Sequence, residues 1–167
     1  SSVETPPCYN KCMIDRDSMQ LRPHQQDALT AMLAHDKGQV IVPTGGGKTM
    51  CMIKDSQEYL DACDRGIVVV VAPRILLAEQ LSAEFLEFHT DVAVMHVHSG
   101  ETHHFSSTRP AIIRNWSQQA YRKQLIFTTY HSLPRVMEAD INVDCIYFDE
   151  AHNSVQRNFF PATEHFS

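Results

Sequence analysis

The sequence predicts a three-layer α/β domain built on a mainly parallel sheet. Three observations carry that expectation. The run Ile67-Val68-Val69-Val70-Val71-Ala72 is apolar on both alternating faces, as a strand covered by helices on both sides must be. Apolar residues recur at helical spacing on either side of it, at Ala28, Leu29, Met32 and Leu33 and again at Leu77, Leu81, Phe85 and Phe88. Short apolar runs and helical stretches then alternate along most of the chain, the pattern of parallel strands joined by crossover helices.

Residues 1–18 contain Pro6-Pro7 and little periodicity, and are read as an arm or poorly ordered lead-in, with the domain proper at 19–167. Pro23 suits the first turn of a helix that should end near Gly38. A strand is expected at 39–42, a loop at 43–47 and a helix from Lys48 to about Cys63. Asp64-Arg65-Gly66 is a turn, 67–72 a strand, 76–88 an amphipathic helix and 92–97 a third strand. Residues 99–110 are rich in Ser, His and Thr and read as a loop or insertion, followed by a helix within 111–123. Strands at 125–128 and 145–148 complete the pattern, the last running into Asp149-Glu150.

The 167 residues suffice for one core, and the net charge of −6 argues against wrapping nucleic acid with the whole surface and confines any such contact to one edge. No apolar run approaches the ~20 residues of a membrane span, and the amino end lacks a basic-then-apolar secretion pattern. The five cysteines, odd in number and scattered, suit a reducing, cytoplasmic setting. Cys8 and Cys12 have the spacing of half a zinc site but no second pair, so they read as thiols of the arm. Cys51 and Cys145 read as small apolar fillers of the core.

Chemistry concentrates in two places. Val42-Pro43-Thr44-Gly45-Gly46-Gly47-Lys48-Thr49 follows a strand and opens a helix, the setting of a phosphate-binding loop. Its glycines allow backbone N–H groups to approach phosphate oxygens, and the helix N-terminus favours the same anion. Lys48 should reach the β- and γ-phosphates of ATP, and Thr49 should ligate Mg²⁺. Val42 stands where the general pattern has glycine. About 100 residues on, the strand Ile146-Tyr147-Phe148 ends in Asp149-Glu150-Ala151-His152. Asp149 is placed to hold Mg²⁺ and Glu150 to orient or deprotonate an attacking water.

With Asp149-Glu150-Ala151-His152 downstream of Pro43-Thr44-Gly45-Gly46-Gly47-Lys48-Thr49, the chain resembles a superfamily 2 helicase of DEAH-box type. The branch it looks most like holds the motor subunits of type I and type III restriction enzymes and phage helicases. The resemblance spans Leu21 to His152 and implies a RecA-like P-loop NTPase lobe, the first of two motor lobes, using ATP and Mg²⁺ on nucleic acid, DNA rather than RNA. It implies that Arg22 and Gln25, in Leu21-Arg22-Pro23-His24-Gln25-Gln26, recognise adenine, and that Lys48, Asp149 and Glu150 are catalytic. It implies nucleic-acid contacts from Arg74, in Val71-Ala72-Pro73-Arg74, and from Thr128, Thr129 and Tyr130, and a coupling role for His152. His98-Ser99-Gly100 falls at the family's glycine-containing turn after the third strand.

The match has gaps. Pro161-Ala162-Thr163, the nearest approach to the family's Ser-Ala-Thr motif, lacks the serine and reads as coincidence. No second lobe with arginine fingers follows, so the chain looks like one motor lobe. Two other readings remain open: a module that binds ATP and nucleic acid with negligible hydrolysis of its own, or a P-loop ATPase not acting on nucleic acid.

Two further clusters have ordinary readings. Arg109, Arg114, Arg122 and Lys123 with Trp116 and Tyr121 suit single-strand stacking, but a solvated helix with a buried Trp is the simpler expectation. His89, His96, His98, His103 and His104 crowd together without an adjacent acid or thiol set, and are not read as metal ligands.

Overall fold

A computed structural model of the chain describes residues 39–41, 47–120, 122–150 and 154–159. The predicted amino-terminal arm and the helix expected before Gly38 lie outside the described residues. In chain order the elements are β1 (Gln39–Ile41), α1 (Lys48–Asp61), β2 (Ile67–Ala72), α2 (Ile75–Phe88), β3 (Val92–Val97), β4 (Phe105–Ser106), α3 (Pro110–Gln119), β5 (Lys123–Thr129), α4 (Leu133–Glu138), β6 (Cys145–Glu150) and β7 (Ser154–Phe159).

The strands form one seven-stranded sheet in the order β1-β7-β6-β2-β5-β3-β4. β6, β2, β5, β3 and β4 run parallel to one another. β7 runs antiparallel to both β6 and β1, with Glu150 opposite Ser154 and Ile41 opposite Val155. The expected RecA-like α/β architecture with a mainly parallel sheet is therefore present. The sequence reading placed no strand at β4 or β7 and no helix at α4.

Side-chain alternation along β2 divides the core. Val68, Val70 and Ala72 point to one face, where α1 supplies Met52, Ile53 and Leu60 and α2 supplies Ala78, Leu81 and Phe85. Val69 and Val71 point to the other, against Ile113 of α3 and Leu133 and Val136 of α4. Each strand of this kind must be apolar at every position, which is why β2 reads as an unbroken β-branched run. Cys51 and Cys145 are buried in the first cluster, as expected of small core fillers. Gly66 lies close to the core: a Cβ there would be 2.9 Å from Leu60 Cδ2, so that side chain would have to shift.

Several buried polar groups bond across elements. Gln124, at the start of β5, donates to Ser117 O (3.0 Å) and Ala120 O (3.3 Å) and accepts from Ser117 Oγ (2.9 Å), which docks the end of α3 on the sheet. His89, just after α2, stacks on Phe85 at 5.8 Å between ring centres and shares a 2.9 Å hydrogen bond with Ser56 Oγ of α1. Burial pushes its pKa below the ordinary 6.5, against the smaller opposing pull of Asp61. The unfolded chain therefore takes up this proton more readily than the folded one. Stability from His89 is complete above pH 6.5 and is lost as the pH falls below it. Urea midpoints measured between pH 7.5 and 5 should fall less steeply in His89→Gln than in the parent chain.

Candidate nucleotide site on the carboxyl edge of the sheet

Because β2, β3, β5 and β6 are parallel, their carboxyl ends share one edge, the edge at which open α/β sheets present ligand sites. α1 starts at that edge. Gly47 is its N-cap, no side chain caps it, and its first turn holds no acid. Its leading N–H groups and positive dipole end are thus available to an anion.

Lys48, the first residue of α1, bridges to the end of β6. Its Nζ lies 2.5 Å from Asp149 Oδ1 and donates to Glu150 O at 3.0 Å, joining residues 102 apart in sequence. Asp149 and Glu150 are buried, at 4% and 5% exposure. Burial raises the Asp149 pKa, and the Lys48 ammonium pulls it back down. These residues, with Thr49, line an open cleft of about 700 Å³. The opposite wall is Pro73 and Arg74 and the α2 side chains Leu77, Gln80, Leu81 and Glu84.

Of the residues named from the sequence, Lys48, Thr49, Asp149, Glu150 and Arg74 meet in this cleft. Pro43, Thr44, Gly45, Gly46, Arg22, Gln25 and His152 lie outside the described residues. Arg74 was expected at a nucleic-acid edge; it is exposed and lines the same cleft as the lysine–aspartate pair. Thr128 is fully buried and donates to Val97 O (2.8 Å), and Thr129 Oγ1 accepts from Ser132 N (3.2 Å), so both hydroxyls shape the turn after β5. Tyr130 donates to Asp149 O at 3.1 Å and stacks on Phe148.

Sequence reasoning missed this last link, which ties the β5 turn to the acidic end of β6. Burial, followed by the charges of Glu150 and Asp149, holds the Tyr130 pKa well above its usual value, so the phenol remains a donor. Tyr130→Phe should cost about 0.5–1.5 kcal/mol in urea unfolding, the net worth of one hydrogen bond.

The donor set suits Mg²⁺ and a polyphosphate. Asp149 is a buried carboxylate facing a cleft with a lysine as its counter-charge, and Thr49 offers a hydroxyl on the same wall. A hard cation takes oxygen ligands of this kind.

Fold and site together define a RecA-like α/β lobe with a lysine-led helix facing an acidic strand end. Residues 18–167 match the family described as Type III restriction enzyme, res subunit, and the chain belongs to that family. The mouse (Mus musculus) ATP-dependent RNA helicase DHX58 is 36% identical over 67 residues, which cover 40% of this chain and 10% of that protein. Among solved structures, a nuclease-deletion mutant of the Type ISP restriction-modification enzyme LlaGI, in complex with a DNA substrate mimic, superposes with a TM-score of 0.60 at 26% identity. That match covers 80% of this chain and 15% of the enzyme. The ATP-dependent Type ISP restriction-modification enzyme LlaBIII bound to DNA shares the fold at a TM-score of 0.53 and 23% identity, over 78% of this chain and 10% of the other. The chain thus spans only 10–15% of the length of these relatives. No described helix is long and apolar enough to cross a membrane.

Proposed function

We propose that this chain is the ATP-binding lobe of a DEAH-box helicase or translocase motor that couples ATP hydrolysis to movement on nucleic acid, DNA in preference to RNA. The observation that carries the reading is the contact of Lys48 Nζ with Asp149 Oδ1 at the mouth of the cleft. It joins the start of α1 to the acidic end of β6 across more than half the chain, which supports a shared role for the two.

In this reading the 43–49 loop and the start of α1 bind the ATP phosphates, and Lys48 exchanges its Asp149 partner for phosphate oxygens. Thr49 and Asp149 hold Mg²⁺, which neutralises developing phosphate charge when bound. Glu150 orients and deprotonates the attacking water from its buried position at the cleft beside Lys48. Arg22 and Gln25 recognise adenine, and His152 relays the nucleotide state. Arg74 and the 128–130 turn contact the nucleic-acid backbone, with Thr128 and Thr129 setting the turn's shape. The Tyr130–Asp149 hydrogen bond gives that turn a direct line to the nucleotide end of β6. A second lobe completes the site.

The test is phosphate release by the intact motor with and without single-stranded DNA at low salt. Stimulated turnover supports the reading. Turnover indifferent to DNA and RNA, with neither bound, would replace it with a P-loop ATPase acting elsewhere.

A further inference from the structure

In three dimensions the histidine-rich stretch meets an acid from a different element of the fold. Glu79, on α2, brings its Oε2 to 2.7 Å from His96 Nδ1 and 3.1 Å from His98 Nε2. The two imidazole nitrogens are 3.2 Å apart. His96 and His98 are buried, at 0% and 3% exposure, while the Glu79 side chain is 28% exposed and opens the cluster to solvent. Each of the three donor atoms is thus within 3.2 Å of the other two. Donor atoms on one cation with bonds of about 2.0–2.2 Å lie roughly 3 Å apart at right angles and about 3.4 Å apart in a tetrahedron. The triangle has the size that a single ion sets.

We propose that Glu79, His96 and His98 form a binding site for a divalent transition cation of the Zn²⁺ class, which pins α2 to the end of β3. Two imidazoles and one carboxylate select such an ion over Mg²⁺ or Ca²⁺, which prefer all-oxygen sets. Three protein ligands leave a coordination position for water. The site is distinct from the nucleotide cleft and does not depend on the nucleotide reading.

Proton bookkeeping shows what the cation replaces. Without it, His96 Nδ1–H and His98 Nε2–H both donate to the same carboxylate oxygen. The two nitrogens also lie 3.2 Å from each other, a contact whose donor is set by the ring tautomers. A cation takes the place of both protons. His96 is prepared for this: its other nitrogen lies 2.9 Å from Ser82 Oγ, which can accept an N–H, the outer contact that metal-bound imidazoles use. His98 is prepared less well, because its Nδ1 accepts from the Gly100 N–H at 3.1 Å. Ligation through Nε2 moves the His98 proton to Nδ1 and breaks that bond, so the turn at 98–100 must shift.

That shift has a consequence for the cleft. Gly100 packs so closely on Ile75, the first residue of α2, that a Cβ at Gly100 would meet Ile75 Cγ2 at 2.8 Å. Arg74 immediately precedes Ile75 and lines the cleft. One face of α2 walls the cleft through Leu77, Gln80 and Glu84, and another carries Glu79 and Ser82 to the histidines. Occupancy of the triad is therefore felt at the helix start that presents Arg74.

The experiment uses the full chain, stripped with a chelator and titrated with Zn²⁺ against a chromophoric chelator, with Mg²⁺ as a control. One Zn²⁺ per chain is expected. Glu79→Gln and His98→Ala should each weaken binding by more than about 100-fold, beyond the 10–100-fold loss typical of an outer-shell partner. Ser82→Ala should fall within that outer-shell range. Glu79 is part-exposed, so Glu79→Gln should keep the parent circular-dichroism spectrum while losing the Zn²⁺-induced rise in Tm. The Cys8→Ser/Cys12→Ser double variant should bind Zn²⁺ as tightly as the parent. The proposal is overturned if no stoichiometric Zn²⁺ binds at micromolar concentration. It is equally overturned if binding survives both Glu79→Gln and His98→Ala, or is lost only with Cys8 and Cys12.

Discussion

Lys48→Ala in the intact motor is expected to lower ATP turnover by at least ~10²–10³-fold, the scale of losing one preorganised charge-stabilising donor. The geometry makes the loss twofold in origin. Phosphate loses the ammonium at the start of α1, and Asp149 loses its counter-charge while buried at 4% exposure. Burial already raises the Asp149 pKa, and only Lys48 opposes it, so the variant carboxyl should hold a proton more readily and serve less well as a cation ligand. Glu150→Gln separates binding from chemistry. It keeps the side-chain volume and the Glu150 carbonyl that Lys48 reaches, so nucleotide should still bind. Turnover should nevertheless collapse, because an amide cannot accept the proton of the attacking water. Phosphate release and binding of a fluorescent nucleotide, measured side by side, check both variants. Parent-like turnover in either one removes the assignment of the cleft.

The parts of the fold legible in the sequence were those decided by local pattern. β2 is buried on both faces, so its run of valines could be nothing but a central strand. α2 shows apolar residues at helical spacing, and α1 and α2 begin at or within a residue of where the sequence places them. Lys48 and Asp149 were legible because each sits where an element changes type, at a helix start and a strand end. The elements missed are those whose burial is polar or whose length is small. α4 has six residues, too few for periodicity to show. β7 places Gln156 and Arg157 inside the protein, at 1% and 2% exposure, which defeats an apolar–polar alternation rule. Glu79 joined the histidines only through tertiary packing: it lies 17 residues before His96 on a different element, and reads as an ordinary surface position of an amphipathic helix. The same holds for Thr128, whose sequence context suggests a phosphate contact while its hydroxyl is committed to Val97 O.

β7 also carries the largest expected effect on stability. Arg157 Nη1 lies 2.6 Å from Asp55 Oδ1 and 2.5 Å from Asp55 Oδ2, and the Tyr147 hydroxyl donates to the same Oδ2 at 2.5 Å. Asp55, Tyr147 and Arg157 are 0%, 0% and 2% exposed. The three come from α1, β6 and β7, so one buried carboxylate ties the helix that begins with Lys48 to the hairpin that carries Asp149 and Glu150. Two ions taken out of water lose several kcal/mol of solvation each, and only mutual attraction and saturated hydrogen bonding offset it. Removing one partner leaves the other buried without this counter-charge. Arg157→Ala and Asp55→Ala should each destabilise by about 3–5 kcal/mol in urea unfolding. Tyr147→Phe, which deletes a hydroxyl and leaves the ion pair, should cost about 1.5–3 kcal/mol, the range for a hydrogen bond to a charged group. Replacing both ions, in Asp55→Leu/Arg157→Met, should recover much of the loss, since an apolar pair of similar volume needs no solvation. The recovered variant separates the two consequences of the network. If the pair serves only stability, its nucleotide affinity should match the parent. If the pair also sets where α1 stands relative to Asp149, affinity should stay low although the chain is folded. A double variant no more stable than either single one would mean that neither ion is buried as the fold places it.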